Sequence, residues 1–288
     1  MVEHVPVMLD DVMNNLPAKL DIVVDGTLWH GWHTKQILKK FPSVQRVFGF
    51  DLDPNILVDT KKRLSDYSDK VEFVWKSYTE ISSVLWDTKA DFILLDLGVN
   101  MEHFKDGSRG FSLNSDADLD MRFDDKNGES AYDIINKYSL SALVRIFVDY
   151  AEFTEQKSYE IAKHIIQTRK NSPIKTTFNL KSILGQAGLG QKASVVIFQA
   201  IRIETNKEID NLKLVLGQVP EILSNWWRCG IITFHSIEDR LVKMFFKNLA
   251  KRNWFKLLSK KAIKPHYTEV QKNRASRSAK YRVIEKSI

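Results

Sequence analysis

Four short apolar runs, each separated from the next by a stretch of helical pattern, govern what this chain can fold into. The runs fall at residues 22–24, 47–50, 71–74 and 92–95, and helical patterns at 35–40, 54–64 and 79–85 lie one in each gap. Strands and helices taking turns in this way predict βαβ units and a parallel sheet. Right-handed crossovers then place helices on both faces of that sheet. A fifth apolar run, at 231–234, comes much later.

The intervening segment is of another kind. From about Gly107 to Asn206 a polar loop opening on Gly107-Ser108-Arg109-Gly110 carries Asp116, Asp118, Asp120, Asp124 and Asp125. Helical patterns follow at 131–137, 142–150, 158–169, 178–184 and 195–204, with no convincing strand among them. The expected organisation is an α/β domain built from residues 1–108 and 206–288, with a mostly helical domain, 109–205, inserted after the fourth strand. Such an insertion suits an enzyme, because ligands bind at the carboxyl edge of a parallel sheet and an inserted domain can supply the opposite wall.

Composition bounds the function. A hydrophobic fraction of 43% and a charged fraction of 27% over 288 residues are those of an ordinary globular protein. No apolar run approaches the roughly 18 residues of a membrane span, and Met1-Val2-Glu3-His4 has no basic region leading into an apolar one, so a cytoplasmic protein with no membrane partner is expected. The single cysteine, Cys229, stands in an apolar run and suits a small buried hydrophobe; one cysteine makes neither a disulfide within the chain nor a multi-cysteine zinc site. A formal charge of +7 favours acidic partners such as nucleic acid. The tail concentrates that charge in Lys256, Lys260, Lys261, Lys264, Lys272, Arg274, Arg277, Lys280 and Arg282, with Trp254, Phe255, Tyr267 and Tyr281 interleaved. This composition serves phosphate contacts and base packing or, equally, a solvated surface with a last core strand near 281–284.

The strand ends carry the chemistry. Asp25-Gly26-Thr27 follows the first strand, and the loop runs on through Trp29-His30-Gly31-Trp32-His33 to a helix starting near Thr34. Asp51 ends the second strand, where an acidic side chain binds ribose hydroxyls or caps the helix that Pro54 begins. Tyr78 follows the third and suits either an adenine ring or core packing, while Asp96 ends the fourth, facing the cleft or serving as a cap. His235 precedes a helix; Ser236 with Asp239 reads as its capping box, and His235 itself is a candidate for touching substrate. A serine hydrolase is disfavoured by the lack of a Gly-x-Ser-x-Gly elbow, and no phosphate-binding P-loop is present. The acidic loop from Asp116 to Asp125 has no EF-hand spacing, and no metal is expected.

In order along the chain, His4-Val5-Pro6-Val7-Met8-Leu9, Asp25-Gly26-Thr27, Leu94-Leu95-Asp96-Leu97-Gly98-Val99, Arg109-Gly110-Phe111-Ser112 and Leu119-Asp120-Met121-Arg122 form a set of motifs. Phe198-Gln199-Ala200-Ile201-Arg202-Ile203, Asn206, Glu208, Ile232-Thr233-Phe234-His235-Ser236-Ile237-Glu238-Asp239-Arg240 and Ser276-Arg277-Ser278-Ala279-Lys280 complete it. With these the chain resembles, over nearly its whole length, the bacterial 16S ribosomal RNA (cytosine-N4)-methyltransferases of the RsmH (MraW) family. The resemblance implies a class I, Rossmann-like S-adenosylmethionine-dependent methyltransferase interrupted by a helical substrate-recognition domain. It implies cofactor contacts at Gly31, Trp32, His33, Asp51, Tyr78, Asp96 and His103, the last at a position often occupied by Gln. It implies a cytosine of the decoding centre in the small ribosomal subunit as target. Asp96 is then the candidate catalytic residue, accepting a hydrogen from the cytosine N4, with His235 and the Asp120-Met121-Arg122 loop as candidates for positioning the base.

The departures fall on tryptophan. Trp29 and Trp32 stand in a loop that the family keeps rich in glycine, Trp226-Trp227 replace a Gly-Gly turn, and Trp75 lies near a common glycine of the third strand. Glycine is scarce, 12 of 288 residues against an ordinary share of roughly 7%, while tryptophan numbers 7. UGA codons rendered as tryptophan but meaning glycine would produce this pattern. The competing reading is a non-catalytic rRNA-binding or ribosome-assembly factor whose cofactor loop is blocked by Trp29 and Trp32.

Overall fold

The computed structural model describes residues 6–99 and 107–287. In chain order it holds α1 (Leu9–Asn14), β1 (Ile22–Asp25), α2 (Trp32–Lys40), β2 (Arg46–Asp51), α3 (Pro54–Arg63), β3 (Val71–Trp75), α4 (Ile81–Leu85) and β4 (Ala90–Asp96). Helices α5 (Ala131–Lys137), α6 (Leu140–Ala151), α7 (Glu155–Asn171), α8 (Thr177–Gln186), α9 (Gln191–Thr205) and α10 (Glu208–Ile222) come next. The chain closes with β5 (Leu223–Thr233), α11 (Ser236–Ala250), β6 (Phe255–Leu257), α12 (Tyr267–Lys272) and β7 (Lys280–Lys286). Two compact units result: Met1–Gly98 with Asp210–Ile288, and Val99–Ile209. Their edges lie several residues outside 109 and 205 on either side.

The first unit is built on a seven-stranded sheet of order β3-β2-β1-β4-β5-β7-β6. Strands β1 to β5 pair in parallel, and β7 lies antiparallel between β5 and β6. Every residue of β4 is buried, as a central strand covered on both faces requires. Its side chains alternate between two cores: Ile93 and Leu95 join Val24, Phe50, Leu216, Ile231 and Phe246, while Phe92 and Leu94 join Val23, Val47, Ile37, Leu38 and Tyr281. The strand order reverses between β1, which leads outward to β2, and β4, so the crevice at their carboxyl ends is the ligand position that doubly wound sheets favour.

The second unit gathers its core from Phe147 and Ile146 of α6, Ile161 and Ile165 of α7, Leu180 of α8, and Ile197 and Ile201 of α9. On α6 the buried residues Leu143, Ile146, Phe147 and Ala151 recur at three and four, one stripe of an amphipathic helix. Capping boxes at Ser130 with Asp133 and at Thr176 with Asn179 fix the starts of α5 and α8.

The sheet resumes earlier than the apolar run at 231 suggests. Strand β5 starts at Leu223, directly after α10, a helix that contains Pro220 and that is absent from the helical patterns read in the sequence. Residues 224–228 obscured the start of the strand: Ala90 pairs with Leu223 and Phe92 with Arg228, so the intervening residues of β5 make an excursion out of register. No helix among the described residues is long and apolar enough to cross a membrane.

Candidate active site

Three carboxylates end three neighbouring strands: Asp51 on β2, Asp25 on β1 and Asp96 on β4. The loop after β1 is wired to all of them. The hydroxyl of Thr34 donates to Asp25 Oδ2 at 2.7 Å, and the Thr27 amide donates to Asp25 Oδ1 at 3.3 Å. The Asp96 amide donates to Thr27 Oγ1 at 2.6 Å. The Trp29 amide donates to Asp51 Oδ2 and the Asp53 amide to Asp51 Oδ1, each at 2.9 Å. Asp53, not Asp51, is the cap of α3: it accepts from the Asn55 amide at 2.9 Å, ahead of Pro54 in the first turn.

Gly26 and Gly31 shape the loop. The Gly26 amide donates to the Leu94 carbonyl at 2.9 Å, and a Cβ there would sit 2.4 Å from Leu95 Cδ2 in the core. Gly31 has φ of 69°, the left-handed region that suits glycine, and is the N-cap of α2. From the first turn of α2, the His33 ring lies against two acceptors. Its Nε2 is 3.1 Å from the Val7 carbonyl, which can only accept, so the proton sits on Nε2. Its Nδ1 faces Asp96 Oδ2 at 3.9 Å.

Burial sets the electrostatics. It pushes Asp25 up to about 6 against the hydrogen bonds from Thr34 and Thr27, and Asp51 up to about 7 against those from Asp53 and Trp29. Asp96 is raised well above the carboxylate range, by burial first and then by the charges of Asp25 and Glu238. Its Oδ1 is buried with no hydrogen-bond partner among the described residues. A buried carboxyl oxygen without a partner, at the switch point of a doubly wound sheet, is a feature that a polar ligand atom would satisfy.

The structure thus brings Gly31, His33, Asp51 and Asp96 to one end of the sheet, with Trp32 opening α2 beside them. Tyr78, half-buried after β3, packs partly against the sheet core. His103 lies outside the described residues. His235 follows β5 and is itself the N-cap of α11. Its Nδ1 accepts from the Glu238 amide at 3.4 Å, while Glu238 Oε2 accepts from the His235 amide at 3.3 Å and the Phe234 amide at 2.9 Å. The capping box is therefore His235 with Glu238, not Ser236 with Asp239. Asp239 instead pairs with Arg282 at 2.7 Å and Lys280 at 3.0 Å on β7, which holds it below the usual carboxylate range despite its burial. A histidine in a position that serine, threonine or aspartate normally fills hid this from pattern reading.

Within the second unit the motifs converge as well. Asn206 donates to the Met121 carbonyl and accepts from the Phe123 amide, both at 2.8 Å. Arg109 donates to the carbonyls of Arg122 and Phe123 at 2.7 and 2.9 Å. Arg122 pairs with Asp120, and Arg202 grips Glu208 through two bonds of 2.8 and 2.9 Å. These contacts hold the loop around Met121 against α9. They border a cavity of about 240 Å³ lined by Phe111, Ser112, Met121, Phe198, Gln199 and Arg202. Sequence reading named these motifs but not the concavity, which exists only once the loop is folded back.

The chain is similar to proteins named ribosomal RNA small subunit methyltransferase H. That of Clostridioides difficile is 38% identical, the match covering 98% of each chain. That of Elusimicrobium minutum is also 38% identical, again over 98% of both. Among solved structures, an rRNA methylase from Streptococcus thermophilus superposes with a TM-score of 0.45 at 11% identity, covering 97% of this chain and 94% of that one. The family profile described as the MraW methylase family matches residues 1–287. A match over practically the whole chain, joined to relatives of this identity, leaves one conclusion: the chain belongs to the MraW methylase family.

Proposed function

We propose that this protein methylates the exocyclic N4 of a cytosine in 16S ribosomal RNA, with S-adenosylmethionine as methyl donor. The observation that carries the reading is Asp96: a buried carboxyl group with an oxygen unpartnered among the described residues, at the end of β4 in a member of a methylase family. The second unit, with its cavity at Phe111 and Gln199, serves as the RNA-recognition domain in this reading. The printed name of the relatives, a methyltransferase of small-subunit ribosomal RNA, supports the choice of RNA.

The residues present fit the cofactor. Asp51 ends β2 where ribose hydroxyls are bound in such sheets, and each of its oxygens keeps a lone pair beyond the one amide it accepts. Tyr78 after β3 offers an aromatic ring, Gly31 and His33 belong to the loop and first turn of α2, and Asp96 contributes an acceptor. When bound, S-adenosylmethionine supplies an electrophilic methyl group on a positively charged sulfur.

Cytosine N4 is a weak nucleophile because its lone pair is delocalised into the ring, so the protein's task is alignment and proton removal. Bound S-adenosylmethionine would supply the methyl group, and an N4 that takes it must shed one of its protons to a group of the protein. Asp96 accepts it, and its raised proton affinity makes it a stronger base than an ordinary carboxylate once ionised. His33 is the positioning residue behind it, fixed by the Val7 carbonyl on one side and facing Asp96 on the other. His235 serves by setting the start of α11 next to the end of β5.

The family membership and the complete row of carboxylates favour this over a non-catalytic assembly factor. Small subunits lacking the modification, incubated with methyl-labelled S-adenosylmethionine and the protein, should yield labelled N4-methylcytidine on digestion. Label on another nucleoside, or none, would refute the proposal.

A further inference from the structure

Tryptophan is concentrated where the backbone wants glycine. Eight non-glycine residues among those described have positive φ, and three of them are Trp29 at 44°, Trp86 at 54° and Trp226 at 70°, in a chain with only 7 tryptophans. Bulky side chains avoid this region because Cβ crowds the backbone, and glycine enters it freely.

Each of the three is held there by its surroundings. The Trp29 amide donates to Asp51 and its carbonyl accepts from the Thr60 hydroxyl, so both flanking peptides are fixed and the residue cannot relax to negative φ without losing one of them. Trp86 is the C-cap of α4 with ψ of −115°, outside even the small left-handed basin open to other residues. Glycine is the residue that usually ends a helix in such a place. Trp226 sits in the excursion of β5 between the pairs Ala90–Leu223 and Phe92–Arg228. The indoles gain little in return, Trp86 being 81% and Trp226 68% exposed.

Trp32 carries a different mark. Its indole Nε1 is buried with no hydrogen-bond partner among the described residues, a cost that native tryptophans usually avoid, in the loop assigned above to the cofactor. The remaining candidates behave as tryptophans. Trp75 donates its Nε1 to the Leu52 carbonyl at 3.0 Å, and Trp227 packs partly against the cores on both faces of the sheet. The backbone thus selects a different set from the motif comparison: it drops 75 and 227 and adds 86.

We propose that residues 29, 32, 86 and 226 are glycine in the protein as its source makes it, each encoded by a UGA codon that this organism's code reads as glycine. The cofactor loop then reads Gly-His-Gly-Gly-His from residue 29 to 33, with three glycines that let a ligand reach the backbone.

The gene and the native protein decide this without reference to methyl transfer. UGA is expected at codons 29, 32, 86 and 226, and peptides of the protein purified from its source should be lighter at each position by the difference between a tryptophan and a glycine residue. UGG at codon 29, 32, 86 or 226, or a tryptophan-bearing peptide there, overturns the proposal. As an independent measurement, recombinant protein carrying Trp29→Gly, Trp32→Gly, Trp86→Gly and Trp226→Gly should show a higher thermal midpoint than the chain as written. It should also bind S-adenosylhomocysteine at least about tenfold more tightly by calorimetry. An unchanged or lower midpoint together with equal affinity would contradict it.

Discussion

The Nδ1 of His33 faces Oδ2 of Asp96 at 3.9 Å, while the other oxygen of Asp96 is buried and has no hydrogen-bond partner among the described residues. The His33 ring thus shares this corner with a carboxyl group that burial and the neighbouring charges of Asp25 and Glu238 hold above the ordinary carboxylate range. Replacing Asp96 tests both sides of that arrangement. Asp96→Asn keeps the shape and removes the base, and turnover on small subunits should fall by roughly 10²–10⁴-fold. The same variant should melt no lower than the parent, because it relieves a buried acid lying near Asp25 and Glu238. Full turnover at saturating cofactor would remove Asp96 from the mechanism.

Binding of the cationic cofactor should release protons. A positive charge brought to the row of raised carboxyl groups favours their ionised forms, so affinity for S-adenosylmethionine should rise as pH increases through about 6 to 7, the range in which Asp25 and Asp51 titrate. The uncharged product S-adenosylhomocysteine should show a shallower dependence. Calorimetry in buffers of differing ionisation enthalpy reads the proton count directly, and identical proton release for the two ligands would contradict the account.

The same two groups tie stability to pH in the ligand-free protein. Asp25 and Asp51 hold protons more tightly folded than unfolded, so the stability they contribute is fully present below the unfolded value near 3.8 and is lost as pH rises to about 6 and about 7. The thermal midpoint should therefore carry a downward component between pH 4 and 7. In Asp51→Asn that slope should flatten, as followed by circular dichroism. An unchanged slope would show that Asp51 does not titrate in this range.

Asp51 also offers its remaining lone pairs to a ligand. Asp51→Ala should weaken S-adenosylhomocysteine binding by about 1.5–3 kcal/mol, the usual worth of hydrogen bonds to a charged group. Binding unchanged in Asp51→Ala would exclude it as the ribose acceptor.

In the second unit, Arg202 and Glu208 are 14% and 9% exposed in their side chains and doubly bonded. Arg202→Ala leaves Glu208 with an uncompensated buried charge, and denaturant unfolding should show a loss of about 3–5 kcal/mol. Arg202→Met with Glu208→Gln should recover much of it. A loss below 1 kcal/mol for the single variant would show that solvent already screens the pair.

Much of this was readable in advance because the decisive elements are local. The first four strands are short apolar runs whose period and length leave little choice, and Asp25, Asp51 and Asp96 each fall at the carboxyl end of one, where topology alone puts them beside the switch point. What escaped depends on contacts between distant residues. The start of β5 is defined by β4 pairing across an excursion, not by its own composition. The cap of α11 is a histidine, recognisable only when its Nδ1 is seen beneath the Glu238 amide. Asp51 reads equally as cap or ligand until Asp53 is found doing the capping. Trp86 stands out only through its dihedral angles, since nothing in Leu85-Trp86-Asp87 looks unusual as a string of letters.

Strand β4 lies at the middle of the finished sheet, yet its partner β5 is synthesised only after the whole helical unit has been made. On the ribosome, β1 to β4 can pair among themselves, but the far side of β4 waits as a row of unsatisfied amides and carbonyls flanked by Phe92, Ile93, Leu94 and Leu95. That is the kind of edge that recruits foreign strands. The architecture that gives the site its carboxylates therefore concentrates the aggregation risk of the nascent chain in the interval between the emergence of β4 and the arrival of β5.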